Sequence, residues 1–256
     1  MAPSPLKACA LITGAARRLG RAIAFDLAQN GWRIGVHYNA SEHDALSLVA
    51  EIEAFGGRAV ALQANLARIE ELAPLVARCA EKLGPASCLV NNAACFEQDE
   101  PHDFDEAGWT LHQDVNLRAP IFLTQAFAKA LPGDVEGNVV NLIDQKVRAL
   151  NPHYFSYTIA KSALWTATKT LAQALAPRIR VNGIAPGPVL PYTGQSAEDF
   201  ERECRDTLLQ RAVPIGDITG AVRFILETRS ITGQLIALDG GRHLAWRPEP
   251  ASDPAS

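Results

Sequence analysis

The stretch A-C-A-L-I-T-G-A-A-R-R-L-G-R-A, residues 8 to 22, decides the fold of this chain. Its first six residues are small, apolar or β-branched, as a buried strand requires, and Leu19, Ile23 and Leu27 follow at helical spacing. Between strand and helix, Gly14 lets the backbone turn and Gly20 lets the two elements approach closely. Such a turn exposes backbone amides at a helix N-terminus, a ready seat for an anion. Arg17, Arg18 and Arg21 add a local positive cluster suited to phosphate.

The same alternation continues outward. Apolar runs fall at residues 33 to 38, 58 to 64, 87 to 91, 138 to 143, 180 to 185 and 234 to 239, with helical stripes such as Leu72, Leu75, Val76 and Leu83 between them. Alternating strands and helices give right-handed crossovers. The expected architecture is a single α/β domain of Rossmann type over residues 6 to 246. It is doubly wound on a mostly parallel seven-stranded sheet, with helices on both faces and the ligand cleft beyond the carboxyl ends of the strands. Residues 1 to 5 and the Pro-rich 247 to 256 read as flexible termini. The 256 residues, 48% apolar and 20% charged, suffice for one sizeable core and argue against disorder. With 24 Lys and Arg against 28 Asp and Glu, the formal charge of -4 comes without a basic tract, which speaks against nucleic acid or a membrane as partner. No apolar run spans a bilayer and the N-terminus lacks signal-peptide order, so a cytoplasmic location is expected. Cys9, Cys79, Cys88, Cys95 and Cys204 show no metal-binding spacing and read as reduced core thiols, so no metal is expected.

In a dinucleotide-binding reading, Gly14, Arg17, Arg18, Leu19 and Gly20 contact the pyrophosphate. The middle glycine of the usual fingerprint is replaced by Arg18. No acid stands between Arg33 and Ser41 to meet a free ribose 2′-hydroxyl, which favours NADPH over NADH. Ser41 can donate to a 2′-phosphate, with His37, Tyr38 and Asn39 as further polar contacts, although His37 alone also reads as a surface residue at a strand end. Asn65 and Leu66 would flank the adenine, and the small residues of the Asn91-Asn92-Ala93-Ala94 run would pass beneath the adenosine ribose.

The catalytic signal is Y-T-I-A-K, where Tyr157 and Lys161 lie one turn apart on one helix face. A phenol titrates at about 10 and a neighbouring ammonium lowers it, so Tyr157 is expected to exchange a proton with substrate near neutral pH. Lys161 would hold the nicotinamide ribose. Asn116 precedes Pro120 by four residues, and the missing proline N–H frees the carbonyl of residue 116 for a water relay toward Lys161.

Together these residues resemble the short-chain dehydrogenase/reductase family: the TG-x-x-x-x-x-G turn, NNAA, the central-helix Asn116, Y-x-x-x-K, and Pro186-Gly187 after the sixth strand. The resemblance spans about residues 8 to 246 and implies an NADPH-dependent reductase in which Tyr157 donates the proton and Lys161 and Asn116 act with it, assembled as a homotetramer through the helices near residues 111 to 131 and 157 to 175. Most members place a serine thirteen residues before the tyrosine; here that position is Asp144. A carboxylate cannot donate to a ketone oxygen, but it accepts from ring N–H groups and can share a proton with Tyr157, which suits a C=N bond. Asp144, the R-R-L-G turn, H-Y-N-A-S and Phe96 are similar to pteridine reductases and the bacterial dihydromonapterin reductases.

That likeness makes Phe96 a stacking wall for a pterin and has Arg18 reach both pyrophosphate and the pterin oxo group, with Cys95 nearby. Three positions depart from it. Ala40 stands where these relatives carry an arginine for the 2′-phosphate, Asn65 replaces the usual adenine-binding Asp, and no hydroxyl residue follows Pro186-Gly187, leaving the backbone near Val189 for the carboxamide. Residues 188 to 212 read as a substrate lid. The implied activity is reduction of a dihydropterin or dihydrofolate to its tetrahydro form. A carbonyl reductase acting on 3-oxoacyl or sugar substrates and a non-catalytic NADPH sensor stay open as alternatives.

Overall fold

A computed structural model describes residues 8 to 245. The expected domain limits at residues 6 and 246, and both terminal segments, lie outside the described residues. Seven strands, β1 (Cys9–Ile12), β2 (Arg33–Tyr38), β3 (Arg58–Gln63), β4 (Ala86–Asn91), β5 (Gly137–Leu142), β6 (Ile179–Pro186) and β7 (Leu235–Leu238), form one sheet in the order β3-β2-β1-β4-β5-β6-β7. Every pairing is parallel. The strand order reverses between β1 and β4, which opens a crevice at their carboxyl ends.

Strand alternation explains why the core has two layers. In β1, Ala10 and Ile12 face one side, where they pack with Ile23 and Leu27 of α1 (Arg18–Gln29), Leu48 and Ile52 of α2 (Glu42–Ala54) and Ile218 and Val222 of α8 (Ile215–Glu227). Cys9 and Leu11 face the other. There they meet Leu72 and Leu75 of α3 (Ile69–Leu83), Leu123 and Phe127 of α5 (Ala119–Ala130) and Ala172 of α6 (Phe155–Leu175). Fully buried side chains such as Leu11 and Phe127 each contribute roughly 1.5–3 kcal/mol by leaving water. Cys9, Cys79, Cys88 and Cys204 are buried free thiols.

The long central helix is interrupted. After α4 (Glu106–Gln113), residues Asp114–Arg118 form a single π turn closed by Ala119 N–H donating to the Asp114 carbonyl, and α5 follows. Pro120 cannot donate to the Asn116 carbonyl, so the ladder widens at the place where proline breaks it. No helix among the described residues is long and apolar enough to cross a membrane.

Candidate active site

At the β1–α1 turn, polar side chains hold the main chain. Gly14 has φ +61, and a Cβ on Gly20 would lie 2.2 Å from the Gly14 carbonyl oxygen, so neither position admits a larger residue without rearrangement. Arg18 itself adopts φ 53, the left-handed conformation that a glycine in its place would take freely. Asn92 donates to the Thr13 and Gly14 carbonyls at 2.9 and 3.1 Å, while Thr13 Oγ1 accepts from the Asn92 and Ala93 amides.

His37 differs from the expectation of a phosphate contact or a surface residue. It is 2% exposed, its Nδ1 accepts the Gly14 N–H at 2.9 Å, and Nε2 lies 3.1 Å from the Ala64 carbonyl. These partners require a neutral ring protonated at Nε2, and burial lowers its pKa to about 4. His37 therefore shapes the turn from beneath instead of facing solvent at the strand end. Arg17 also departs from expectation, because its guanidinium pairs with Asp44 of α2 at 2.5 Å; Arg21 pairs with Glu51. Arg18 alone of the three lines the cavity, donating to the Leu190 carbonyl at 3.3 Å. Tyr38, Asn39 and Ser41 lie at the open end of β2, and no side-chain bond from Ser41 caps α2, which leaves its hydroxyl for a ligand. Asn65 accepts from Ala67 N–H in a tight turn, and Leu66 is buried against the α3 layer.

Beyond β5 the polar side chains face a cavity of about 470 Å³, a size suited to a small ligand. Arg18, Leu19, Asn92 and Ala94 line one end; Asp144, Tyr157, Lys161 and Phe96 line the centre; Pro186, Gly187 and Val189 form a side. The Tyr157 hydroxyl donates to Asp144 Oδ2 at 3.0 Å, and Oδ1 accepts the Lys146 N–H at 2.7 Å. Burial holds the Asp144 carboxyl above the usual carboxylate range. Burial, then the adjacent carboxylate, pushes the Tyr157 phenol well above its ordinary value. The expected lowering by an ammonium is thus overturned: Lys161 Nζ is 5.7 Å from the Tyr157 ring centroid, donates to the Leu142 carbonyl at 2.7 Å, and is itself lowered to about 8 by burial. A phenol held protonated in this way remains a proton donor.

Asn116 has a role that its spacing did not reveal. Fully buried in the π turn, it clamps the backbone of Cys95, accepting from the amide at 2.9 Å and donating to the carbonyl at 2.8 Å. Cys95, read from sequence as lying near the substrate, does not line the cavity, and burial lifts its thiol to about 11. Phe96 does reach the wall, where its ring stacks on Tyr154 at 4.2 Å and 9° and meets Tyr157 edge-on at 4.8 Å and Tyr192 at 5.6 Å. The sequence reading missed Tyr154 and Tyr192. The aromatic density of Tyr154, Phe155 and Tyr157 was the available signal for the first. Of the expected lid, Ala197–Arg205 forms a helix, α7, and its Glu203 lines the cavity.

A crevice at the switch point, a glycine turn and a Tyr–Lys pair on one helix face define an oxidoreductase of the dinucleotide-fold class. A family model described as Enoyl-(Acyl carrier protein) reductase matches residues 14–243, and the chain belongs to this family, within the short-chain dehydrogenase/reductases. It is 31% identical over 240 residues to the 3-oxoacyl-[acyl-carrier-protein] reductase of Staphylococcus epidermidis, covering 92% of this chain and 98% of that protein. Among solved structures, it is similar to FolM alternative dihydrofolate reductase 1 from Brucella canis complexed with NADP, with TM-score 0.92 and 48% identity over 96% of this chain and 98% of that one. The Brucella suis counterpart in complex with NADP gives TM-score 0.92 and 49% identity over 94% and 97% of the two chains.

Proposed function

We propose that this chain is an NADPH-dependent reductase that reduces a C=N bond of a dihydropterin-type heterocycle to the tetrahydro form. The observation that carries the reading is the Tyr157–Asp144 hydrogen bond of 3.0 Å at the cavity wall. The names of the Brucella relatives, dihydrofolate reductases holding NADP at 48% and 49% identity, support both substrate class and cofactor.

The residues present fit the dinucleotide. A Cβ at Gly14 or Gly20 would fill the cradle at the turn, and no side chain caps the first turn of α1, which leaves its amides for a pyrophosphate. Bound NADPH would supply the hydride. Arg18 and Leu19 would meet the pyrophosphate, Ser41 the 2′-phosphate, and Lys161 the nicotinamide ribose.

Tyr157 gives its proton to the ring nitrogen as that atom gains an electron pair. Asp144, whose raised pKa lets it take up a proton from solvent more readily than a surface carboxyl, passes that proton to the phenolate and is left ionised again, so that the pair titrates as a unit and the net proton comes from solvent. When ionised, Asp144 also accepts from ring N–H groups and orients the heterocycle, while the Phe96 ring offers a stacking wall. Family resemblance extends the reading to a cytoplasmic homotetramer, which a solution mass measurement checks.

The test is NADPH oxidation by the purified protein with a dihydropterin, dihydrofolate and a 3-oxoacyl thioester. Turnover of the first two supports the proposal. Turnover of the thioester alone favours the carbonyl reading, to which the 31% identity with the Staphylococcus enzyme points. Binding of NADPH without turnover leaves a sensor. Asp144→Ser should cost dihydropterin reduction about 30-fold in kcat/KM, the loss of one charge-assisted hydrogen bond, and should spare any ketone activity. Equal dihydropterin rates for variant and parent would remove the role given to this carboxylate.

A further inference from the structure

Behind the cavity, a buried polar chain that does not touch it ties α4, α6 and the loop after β4 together. His112 of α4 is 1% exposed and Ser156, in the first turn of α6, is fully buried. His112 Nε2 accepts the Glu97 N–H at 3.1 Å, and Nδ1 lies 2.6 Å from Ser156 Oγ. Ser156 Oγ donates onward to Asp99 Oδ2, and the Asp99 carboxylate accepts the Ser156 N–H at 3.2 and 3.3 Å.

These partners fix every proton. Because Glu97 can only donate from its amide, His112 Nε2 is the acceptor and Nδ1 carries the hydrogen. That hydrogen goes to Ser156, and the serine hydrogen goes to Asp99. Serine stands in the middle with its hydroxyl turned to a carboxylate, so the chain is no nucleophilic triad. It acts instead on the loop. Residues 95 to 99 are gripped at Cys95 by Asn116, at Glu97 by His112 and at Asp99 by the start of α6, and Phe96 lies between the grips. His112 at the end of α4 and Asn116 in the π turn that follows stand four residues apart, so this one segment supplies two of the three.

We propose that His112 is a positioning residue for the reaction: through the Glu97 amide and the Ser156–Asp99 link it sets where the Phe96 ring stands relative to the Tyr157 hydroxyl. The ring lies 4.8 Å edge-on from the Tyr157 ring, and α6 carries both Ser156 and Tyr157, so the chain sets wall and proton donor in one frame. A displacement of about an ångström in such a frame is enough to slow an enzyme. The kinetic part rests on the reductase reading above; the loop part does not.

The experiment compares wild type, His112→Ala, His112→Gln and Ser156→Ala by amide hydrogen exchange and by steady-state kinetics with whichever acceptor the wild type reduces. In His112→Ala we expect faster exchange over residues 95 to 101, an acceptor KM raised about tenfold, and NADPH affinity within about twofold of wild type. His112→Gln keeps an acceptor for the Glu97 amide and should recover most of the KM. Ser156→Ala should move KM in the same direction by less, and it carries the test if His112→Ala fails to fold. A residue that only stabilises the fold would lower the active fraction, and hence kcat, at constant KM. Unchanged KM, unchanged exchange, or KM and NADPH affinity worsening in step would each overturn the proposal. If the wild type reduces none of the acceptors, the proposed function fails while the exchange comparison still decides whether His112 holds the loop.

Discussion

At the β1–α1 turn the buried Thr13 and His37 and the half-buried Asn92 all bond to main chain, whereas beyond β5 the side chains of Asp144, Tyr157 and Lys161 face the cavity. The first region presents a ligand mainly with amides and Cα atoms, whose positions depend on Thr13 and His37 buried beneath the turn. The second presents functional groups directly. Loss of a side chain should therefore act through geometry and stability at the turn, and through chemistry with the fold intact at the catalytic end.

The largest expected effect is at Tyr157. Tyr157→Phe removes the hydroxyl and little else, so kcat should fall about a thousandfold, within the range for loss of a general acid. NADPH affinity should stay within about twofold and the melting temperature should fall by only a few degrees, since the Asp144 oxygen that loses its donor faces the open cavity and can turn to water. Single-turnover kinetics and cofactor titration check both halves. Residual activity above about a tenth of wild type would show that the proton comes from elsewhere.

His37 tests the other side of the comparison. His37→Leu leaves the Gly14 N–H and the Ala64 carbonyl without partners and should destabilise the protein by about 3 kcal/mol. It should weaken NADPH binding while kcat at saturation survives. The wild type carries a matching pH signature. The folded pKa of about 4 lies below the ordinary histidine value of 6.5, so between these the unfolded chain binds more protons and stability falls as pH drops from 6.5 toward 4. That part of the acid slope should be absent in His37→Leu, as denaturant melts at several pH values would show.

The two regions also differ in what could be read from sequence. The strands and the Tyr157–Lys161 face were legible because each depends on local spacing, and Asp144 stood out through its fixed distance from Tyr157. His37 was misread because its partners, Gly14 and Ala64, belong to turns after two other strands. A polar residue at a strand end carries no mark of which backbone it will satisfy. The side-chain role of Asn116 was hidden for the same reason: Pro120 pointed to its carbonyl, while its amide reaches 21 residues back to Cys95. The expected lowering of the Tyr157 pKa counted one charge and omitted desolvation, which in a buried phenol is the larger effect.

The smallest effect separates the arginines of the turn. Both Arg17 and Arg18 are expected from sequence to meet the pyrophosphate, but Arg17 is spread on the surface, its side chain 64% exposed and paired with Asp44, whereas Arg18 lines the cavity. An exposed ion pair contributes about 0.5 kcal/mol or less, so Arg17→Ala should barely shift the melting temperature. Its NADPH affinity should change less than about threefold, because the turn is held from beneath by His37 and Asn92 and does not need that guanidinium. Arg18→Ala should lose about tenfold in NADPH affinity or acceptor KM, the usual consequence of removing one charge-assisted contact to an anion or oxo group. Titration of both variants decides the matter. Equal losses would mean that the Arg17–Asp44 pair opens when the dinucleotide binds, and that the turn region, too, presents side chains to its ligand.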